Sequence, residues 1–436
     1  MLSPARSRSR QQGAETKVRK RTHCRACGSK ALTPVFSFAS SAAPFGKTGG
    51  GADGAAFVLC DPSRDARACG LLQSAAREVE HSPQRSSRRA STRDHLRAAA
   101  TESLEVISGR DCASLDVGCN DGALLAYYPR WVERYGVDPH AHADEVGAWA
   151  ETVKATFPSA EFDSAVGDKK FDIITAISLL EHCDDPRALL DGVKTRLAAD
   201  GVFTLETLYA PMTLTSNNIE AVHSGVAAIY SLSVIEWLVR EAGLKIFKGA
   251  LTSKDGGSLR LFITHPDNNA FDFDPWSERL ARLWDEENAL AMRAIQPYQL
   301  FAHRADALRE EFADMLDDIA ARGECAQILG FDPQMLALMD WAGPAAKIVN
   351  AVVDTAAARE HARIPGGRLR IISESDCRAE EPDYLIAPAS YKREILERWR
   401  ETILLGARVI FITPTPHIVT STNFACEYGK MIATGD

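Results

Sequence analysis

The chain is 436 residues long, 45% hydrophobic and 25% charged, with a formal net charge of −9. That length exceeds one comfortable core and predicts two or three domains, while the lack of any apolar run of about 18 residues excludes a membrane-spanning helix. The basic residues gather in the first 22 positions and in "HSPQRSSRRASTRDHLR", which excludes a spread nucleic-acid footprint.

Residues 1–22 are basic and polar, lack the apolar segment of a secretory signal, and read as a disordered tail on a cytoplasmic protein. Residues 23–80 hold Cys24, Cys27, Cys60 and Cys69 around the loop "KTGGGADGAA" and read as a small irregular module. Ten cysteines in such a chain point to metal ligation or free thiols rather than to a disulfide framework. From about residue 92 helices and strands alternate: helix "DHLRAAATESLEVI", strand "CASLDVG", helix "ALLAYYPRWV", strands "RYGVDP" and "FDIITAI", helix "DPRALLDGVKTRLA", strand "GVFTLETL". This rhythm predicts a parallel, doubly wound sheet.

Residues 210–226, "APMTLTSNNIEAVHSGV", break the rhythm and read as irregular. Helix "SLSVIEWLVREAGL" follows, then a hairpin of "KIFKGALTS" and "SLRLFITHP" turning at Asp255, Gly256 and Gly257. Residues 269–320 read as a helical connector, and 321–436 as a second α/β unit beginning with "CAQILGF" and ending on "YKREILERWRETILLGA" and "RVIFITP".

The turn after the first strand, "LDVGCNDGALL", carries the clearest chemistry. Ligands of doubly wound sheets lie at the carboxyl ends of the strands, over a glycine turn. Here Gly118 and Gly122 permit close backbone approach, but Asp116, Asn120 and Asp121 surround them, and carboxylates repel a pyrophosphate. Asp138 ends the next strand twenty residues beyond Gly118, the spacing that sets a carboxylate on ribose hydroxyls. A glycine turn, acids facing a cationic group and a ribose-binding carboxylate together suit S-adenosylmethionine (SAM). The plainer alternative is that Asp116 and Asp121 only cap a helix.

This segment, with "FDIITAISLLEHCDDPRALLDGVKTRLAADGVFTLET", resembles class I methyltransferases. The order of "CRACGS", "CGLLQ", "IYSLSVIEWLVREAGL", "GGSLRLF", "IPGGRLRI", "PDYLIAP" and "YKREIL" resembles the three-part sugar C-methyltransferases that act on nucleotide-linked 4-keto-deoxysugars. The resemblance implies a zinc module over 23–80, a Rossmann-like methyltransferase domain over 81–268 and a second Rossmann-like domain. It assigns Asp116, Gly118 and Asp138 to SAM, with Asn120, Asp121 and Gly122 completing the turn, and the four cysteines to a structural zinc ion. Cys60 and Cys69 are separated by eight residues instead of two, so the insertion "DPSRDARA" must loop out.

The catalytic half departs from the family. The family implies carbanion methylation, in which a base removes the proton beside a ketone, and it places that base in a Tyr/His/Glu/His run before the "YSL" helix. This chain has "HSGVAAI" there, and Ser82 and Gln84 where the family has tyrosines. His223, His182 and Glu220 remain as candidate bases, and Gly256, Gly257, Ser258 and Arg260 as candidates for binding a nucleotide-linked sugar. O- or N-methylation of a related small molecule, or a SAM-binding protein without activity, are the alternatives this departure leaves open.

Overall fold

The computed structural model describes residues 20–38, 55–77, 89–107, 112–140, 146–147, 149–223, 225–271, 273–330, 333–354 and 369–434. Residues 1–19 of the basic tail, most of the Gly/Ala-rich loop, and Ser82 and Gln84 lie outside them.

Strands β1 (Leu32–Phe38), β2 (Ala55–Cys60) and β3 (Leu72–Ser74) run antiparallel. Helix α1 (Ala90–Glu105) leads into β4 (Ala113–Val117), β5 (Glu133–Val137), β6 (Glu151–Val153), α2 (Ala160–Val166), β7 (Phe171–Ile177), α3 (Pro186–Arg196) and β8 (Leu197–Leu208). After α4 (Ala210–Thr215), the two-residue strand β9 (Ala228–Ile229) adds to the first sheet beside β3. Helix α5 (Leu232–Glu241) and the hairpin β10 (Lys245–Thr252) and β11 (Ser258–Thr264) complete a seven-stranded sheet of order β10-β11-β8-β7-β4-β5-β6. Its strands are parallel except for the hairpin.

The sequence dictates these elements locally. Strand β4 is buried at all five positions, as a strand covered on both faces must be. Helix α3 starts where Asp185 accepts from the Ala188 N–H at 3.0 Å, with Pro186 in the first turn. Helix α5 is capped by Ser231 and buries Leu232, Val234, Ile235, Leu238 and Val239, an i, i+3, i+4 stripe.

The remaining elements are α6 (Asp274–Ala289), α7 (Gln296–Ala321), β12 (Ala326–Leu329), α8 (Pro333–Ala342), β13 (Val349–Val353), β14 (Arg370–Ile372), α9 (Glu374–Glu380), β15 (Tyr384–Ala387), α10 (Lys392–Arg398), α11 (Arg400–Leu404), β16 (Arg408–Phe411), β17 (His417–Val419) and α12 (Phe424–Thr434). They form a second doubly wound sheet, β14-β13-β12-β15-β16-β17, parallel except for β17. The α/β class expected from the sequence is therefore observed twice, with the small antiparallel sheet at the N-terminal side.

Several elements differ from expectation. Residues 123–132 form only a 3₁₀ turn at Leu125–Tyr127, because Pro129 holds Tyr128 extended (ψ 141°) and stops a helix. The segment 210–226 is ordered: Leu214, Ile219, Val222 and Val226 are buried in the core shared with the C-terminal sheet. The stretch 269–320 is two helices with different partners. Leu280 and Leu283 of α6 pack over Gly249 of β10, whereas Tyr298, Phe301, Leu308, Phe312 and Leu316 of α7 belong to the core of the second sheet. The helix read over 391–407 breaks into α10 and α11 at Trp399.

Candidate active site

The cofactor half is built at the carboxyl ends of β4 and β5. After Val117 the chain passes through Gly118 (φ 78°), Asn120 (φ 50°) and Gly122 (φ 73°), left-handed conformations that glycine tolerates best. The Gly118 N–H donates to the Val137 carbonyl at 2.8 Å, tying the turn to β5. Asp138 then holds the turn open: one oxygen accepts from the Asn120 N–H at 3.0 Å, the other from the His140 N–H at 2.7 Å. Asp116 is buried and accepts from Thr175 Oγ1 at 2.6 Å. Burial raises its carboxyl to about 7, with the charge of Asp138 adding to the rise. Two buried carboxyl groups beside a glycine turn fit a ligand that brings hydroxyls and positive charge, as SAM does. When bound, SAM supplies an electrophilic methyl group on a sulfonium. The turn is tight as well, since a Cβ on Gly118 would stand 3.1 Å from Leu179.

Leu179 begins the acceptor half. Ser178 turns the chain with φ 53°, its N–H donates to the Glu206 carbonyl at 3.0 Å, and a 3₁₀ turn over Leu180–His182 follows. Glu181, His182, Glu220, His223, Asp255 and Gln334 line one narrow cleft between the two α/β units. All three candidate bases are thus brought together, but their chemistry differs.

Glu220 is buried and engaged with the second unit. Its carboxylate accepts from the Ala389 N–H at 2.9 Å, Ser390 Oγ at 2.8 Å, the Ser390 N–H at 3.4 Å and Thr413 Oγ1 at 3.3 Å. His223 Nδ1 accepts from the Gly225 N–H at 3.1 Å, which leaves the proton on Nε2, 3.3 Å from the Gln334 amide. Burial pushes this imidazole down to about 3, and His182 beside it adds to the shift. His182 donates from Nδ1 to the Gly225 carbonyl at 2.7 Å and is likewise lowered by burial. Both histidines are neutral near pH 7.

The sequence did not single out Glu181, which is buried on the cleft wall and accepts from Thr207 Oγ1 at 2.8 Å. Burial raises its carboxyl to about 7. The signal available was its place in "LEH" directly after a strand of the cofactor sheet.

The four residues expected to receive a sugar occupy different surroundings. A Cβ on Gly256 would meet Asn218 Nδ2 at 2.4 Å and one on Gly257 would meet Met212 Cβ at 2.6 Å, so protein rather than ligand fills the space these glycines leave. Ser258 Oγ donates to the Lys254 carbonyl at 3.0 Å within the same turn. Arg260 is 2% exposed and bonds Glu206 at 2.5 Å, Glu102 at 2.9 Å and His95 at 3.2 Å. Its guanidinium braces α1 against the sheet instead of facing open space.

Cys24 Sγ lies 3.6 Å from Cys69 Sγ and Cys27 Sγ 3.4 Å from Cys60 Sγ, and the four sulfurs stand within 4.8 Å of one another. Thiolates about 2.3 Å from a tetrahedral ion are roughly 3.8 Å apart, so the four fit one closed metal site. The insertion loops out as expected, held by Asp61 through Ser63 Oγ at 2.7 Å and Thr33 Oγ1 at 2.8 Å. The knuckle is wired to the acceptor half. Arg25 donates to Asp184 at 3.2 Å, the Ser74 carbonyl at 2.9 Å and the Ala76 carbonyl at 2.8 Å, and the Ala227 N–H donates to the Glu181 carbonyl at 2.7 Å.

A family model described as a methyltransferase domain matches residues 77–248, and one described as a C-methyltransferase C-terminal domain matches residues 253–416. The C-methyltransferase NovU of Streptomyces niveus is 24% identical over 318 residues, 71% of this chain and 74% of that protein. The ubiquinone biosynthesis O-methyltransferase of Actinobacillus pleuropneumoniae serotype 7 (strain AP76) is 31% identical over 104 residues, 22% of this chain and 44% of that one. The solved magnesium protoporphyrin IX methyltransferase (ChlM) from Synechocystis PCC 6803 with bound SAM aligns with TM-score 0.29 and 15% identity, covering 40% of this chain and 78% of that one. Turn, acids and domain match define a SAM-dependent methyltransferase. With a match to a methyltransferase domain followed by a match to a C-methyltransferase C-terminal domain, the chain is similar in organisation to the C-methyltransferases, NovU being a distant relative. None of its described helices is long and apolar enough to cross a membrane.

Proposed function

We propose that the protein methylates a carbon next to the ketone of a nucleotide-linked 4-keto-deoxysugar, with zinc in the four-cysteine knuckle. One observation carries this: a narrow cleft lined by Glu181, His182 and His223 lies between the two α/β units, and Leu179, two residues before Glu181, packs against the SAM turn. Carbanion methylation needs a proton acceptor and the methyl donor on opposite sides of one acidic carbon, and the short segment from Leu179 to His182 links the cofactor turn to the cleft wall. The carbon-directed relative and the C-terminal family match support the choice of carbon over oxygen.

In this reading Asp138 and the Asn120 backbone orient the ribose, Asp116 faces the cationic end, and the Gln334 amide with His223 Nε2–H donates to the ketone oxygen as charge develops there. Neutral His223 serves as a donor from Nε2, because its Nδ1 already accepts from the Gly225 N–H. Incubation with methyl-labelled SAM and dTDP- and UDP-linked 4-keto-6-deoxyhexoses tests it, with Asp116→Ala as control. Label on a carbon next to the ketone is the expected result. Label on oxygen or nitrogen would replace it with heteroatom methylation.

A further inference from the structure

The cleft holds one carboxylate that neither the cofactor nor the protein's internal bonding uses up. Glu220 is committed to four donors of the second unit. Asp255 pairs with Lys254 at 2.5 Å and accepts from Tyr391 Oη at 3.3 Å, and although burial works to raise its carboxyl, the Lys254 charge holds it below the usual range. His223 uses Nδ1 as an acceptor already and is too weakly basic to compete for a carbon-bound proton. Glu181 takes a single side-chain donor among the described residues, Thr207, on Oε2. It stands on the cleft wall with Gln334 and Ser390 of the second unit, two residues past Leu179, which packs at Gly118 of the cofactor turn.

We propose that Glu181 is the catalytic base that removes the proton from the acceptor carbon. The assignment rests on the carbon-methylation reading above. The carbon–hydrogen bond breaks, its electron pair delocalises onto the ketone oxygen as an enolate, and an O–H bond forms on the Glu181 carboxylate. The proton passes to water when product leaves, which restores the carboxylate. The groups facing it are His182 and His223, both neutral, Asp255, which raises its basicity, and Lys254, which lowers it. A carboxyl raised to about 7 by burial is half ionised near neutrality, where a general base is most effective. Thr207 orients the carboxylate by bonding the oxygen that does not receive the proton.

The test uses the full chain, S-adenosylhomocysteine and a dTDP-linked 4-keto-6-deoxyhexose in D2O, reading deuterium uptake at the carbon next to the ketone, and methyl transfer with SAM in parallel. Glu181→Gln keeps the shape and the Thr207 bond. It should lose deuterium uptake and cut kcat at least about 100-fold, the range of a general base, while SAM affinity stays within about twofold. In the native protein kcat/KM should rise with pH through about 7, and Glu181→Asp should retain part of the activity with that limb moved to lower pH. Uptake and transfer by Glu181→Gln within about threefold of native, with the limb unmoved, would overturn the assignment while leaving carbon methylation standing. Methylation of a heteroatom by the native protein, without deuterium uptake, would overturn both. Should Glu181→Gln not bind SAM, the Glu181→Asp limb decides: an unshifted limb rejects Glu181.

Discussion

The two doubly wound sheets begin alike and end differently. In each, a glycine after the first central strand donates its N–H to the last residue of the next strand: Gly118 to Val137 at 2.8 Å, Gly330 to Val353 at 2.9 Å. An aspartate follows in both, Asp138 and Asp354. At the first sheet the crevice beyond the glycine is lined by acids and suits a cationic ligand. At the second, Arg89 from the first unit stands 3.6 Å from where a Gly330 Cβ would be and stacks 3.8 Å over Tyr391, while Glu220 occupies the donors after β15 and β16. One topology thus serves as a ligand seat in one place and largely as a docking socket in the other, because the side chains brought to the crevice decide its use.

The comparison breaks most easily at the paired aspartates. Asp138→Ala removes the acceptor of two backbone N–H groups and should weaken SAM binding at least about 100-fold by titration calorimetry, on the scale of a lost charged hydrogen bond or two. Asp354→Ala should leave SAM affinity unchanged. Equal effects would mean that the two crevices are not functionally distinct.

Next in size is the socket. Glu220→Leu strands the Ala389 N–H, Ser390 and Thr413 donors in a buried seam and should cost about 2–3 kcal/mol in denaturant unfolding. A loss below about 0.5 kcal/mol would show that the carboxylate does not dock the units.

A pH-resolved effect belongs to Asp116. Its folded carboxyl is raised from 3.8 to about 7, so the folded state keeps a proton that the unfolded chain releases. Stability from this group is complete below about pH 4 and declines as pH climbs toward 7, by up to about 1.4 kcal/mol per pH unit. Asp116→Asn should flatten that part of the stability profile, and an unchanged slope would place the titration elsewhere. Smallest is Arg25→Lys, which keeps the charge and loses the three-way fork. It should leave metal content intact and speed amide exchange over residues 181–187 several-fold, with no change over the cofactor turn.

The sequence was most legible where chemistry is local. The cofactor turn, Asp138 and the four cysteines are short-range patterns, and the structure brings each set together as those patterns imply. The acceptor half is made by long-range packing that no window reveals. Met212 and Asn218 fill the glycine hairpin from a segment without periodicity, and Arg260 is consumed by Glu206, Glu102 and His95 from two other elements. Glu220 looked available because its donors lie some 170 positions further along the chain. Glu181 passed unnoticed for the opposite reason: its basicity comes from burial, which a sequence does not display.

The two-residue strand β9 has a consequence for how the chain is made. The knuckle's sheet ends on Ala228–Ile229, and its apolar residues Phe57, Leu59 and Leu72 pack in the same core as Phe301, Phe312 and Val352. The knuckle's sheet therefore cannot complete the burial of its apolar face until residues some 230 to 295 positions later have emerged from the ribosome. During that interval four thiols and an unpaired strand edge are exposed together, a state prone to oxidation and to association with other chains. Early capture of the metal would shorten the list of hazards by one, and the rest must wait for the C-terminal sheet.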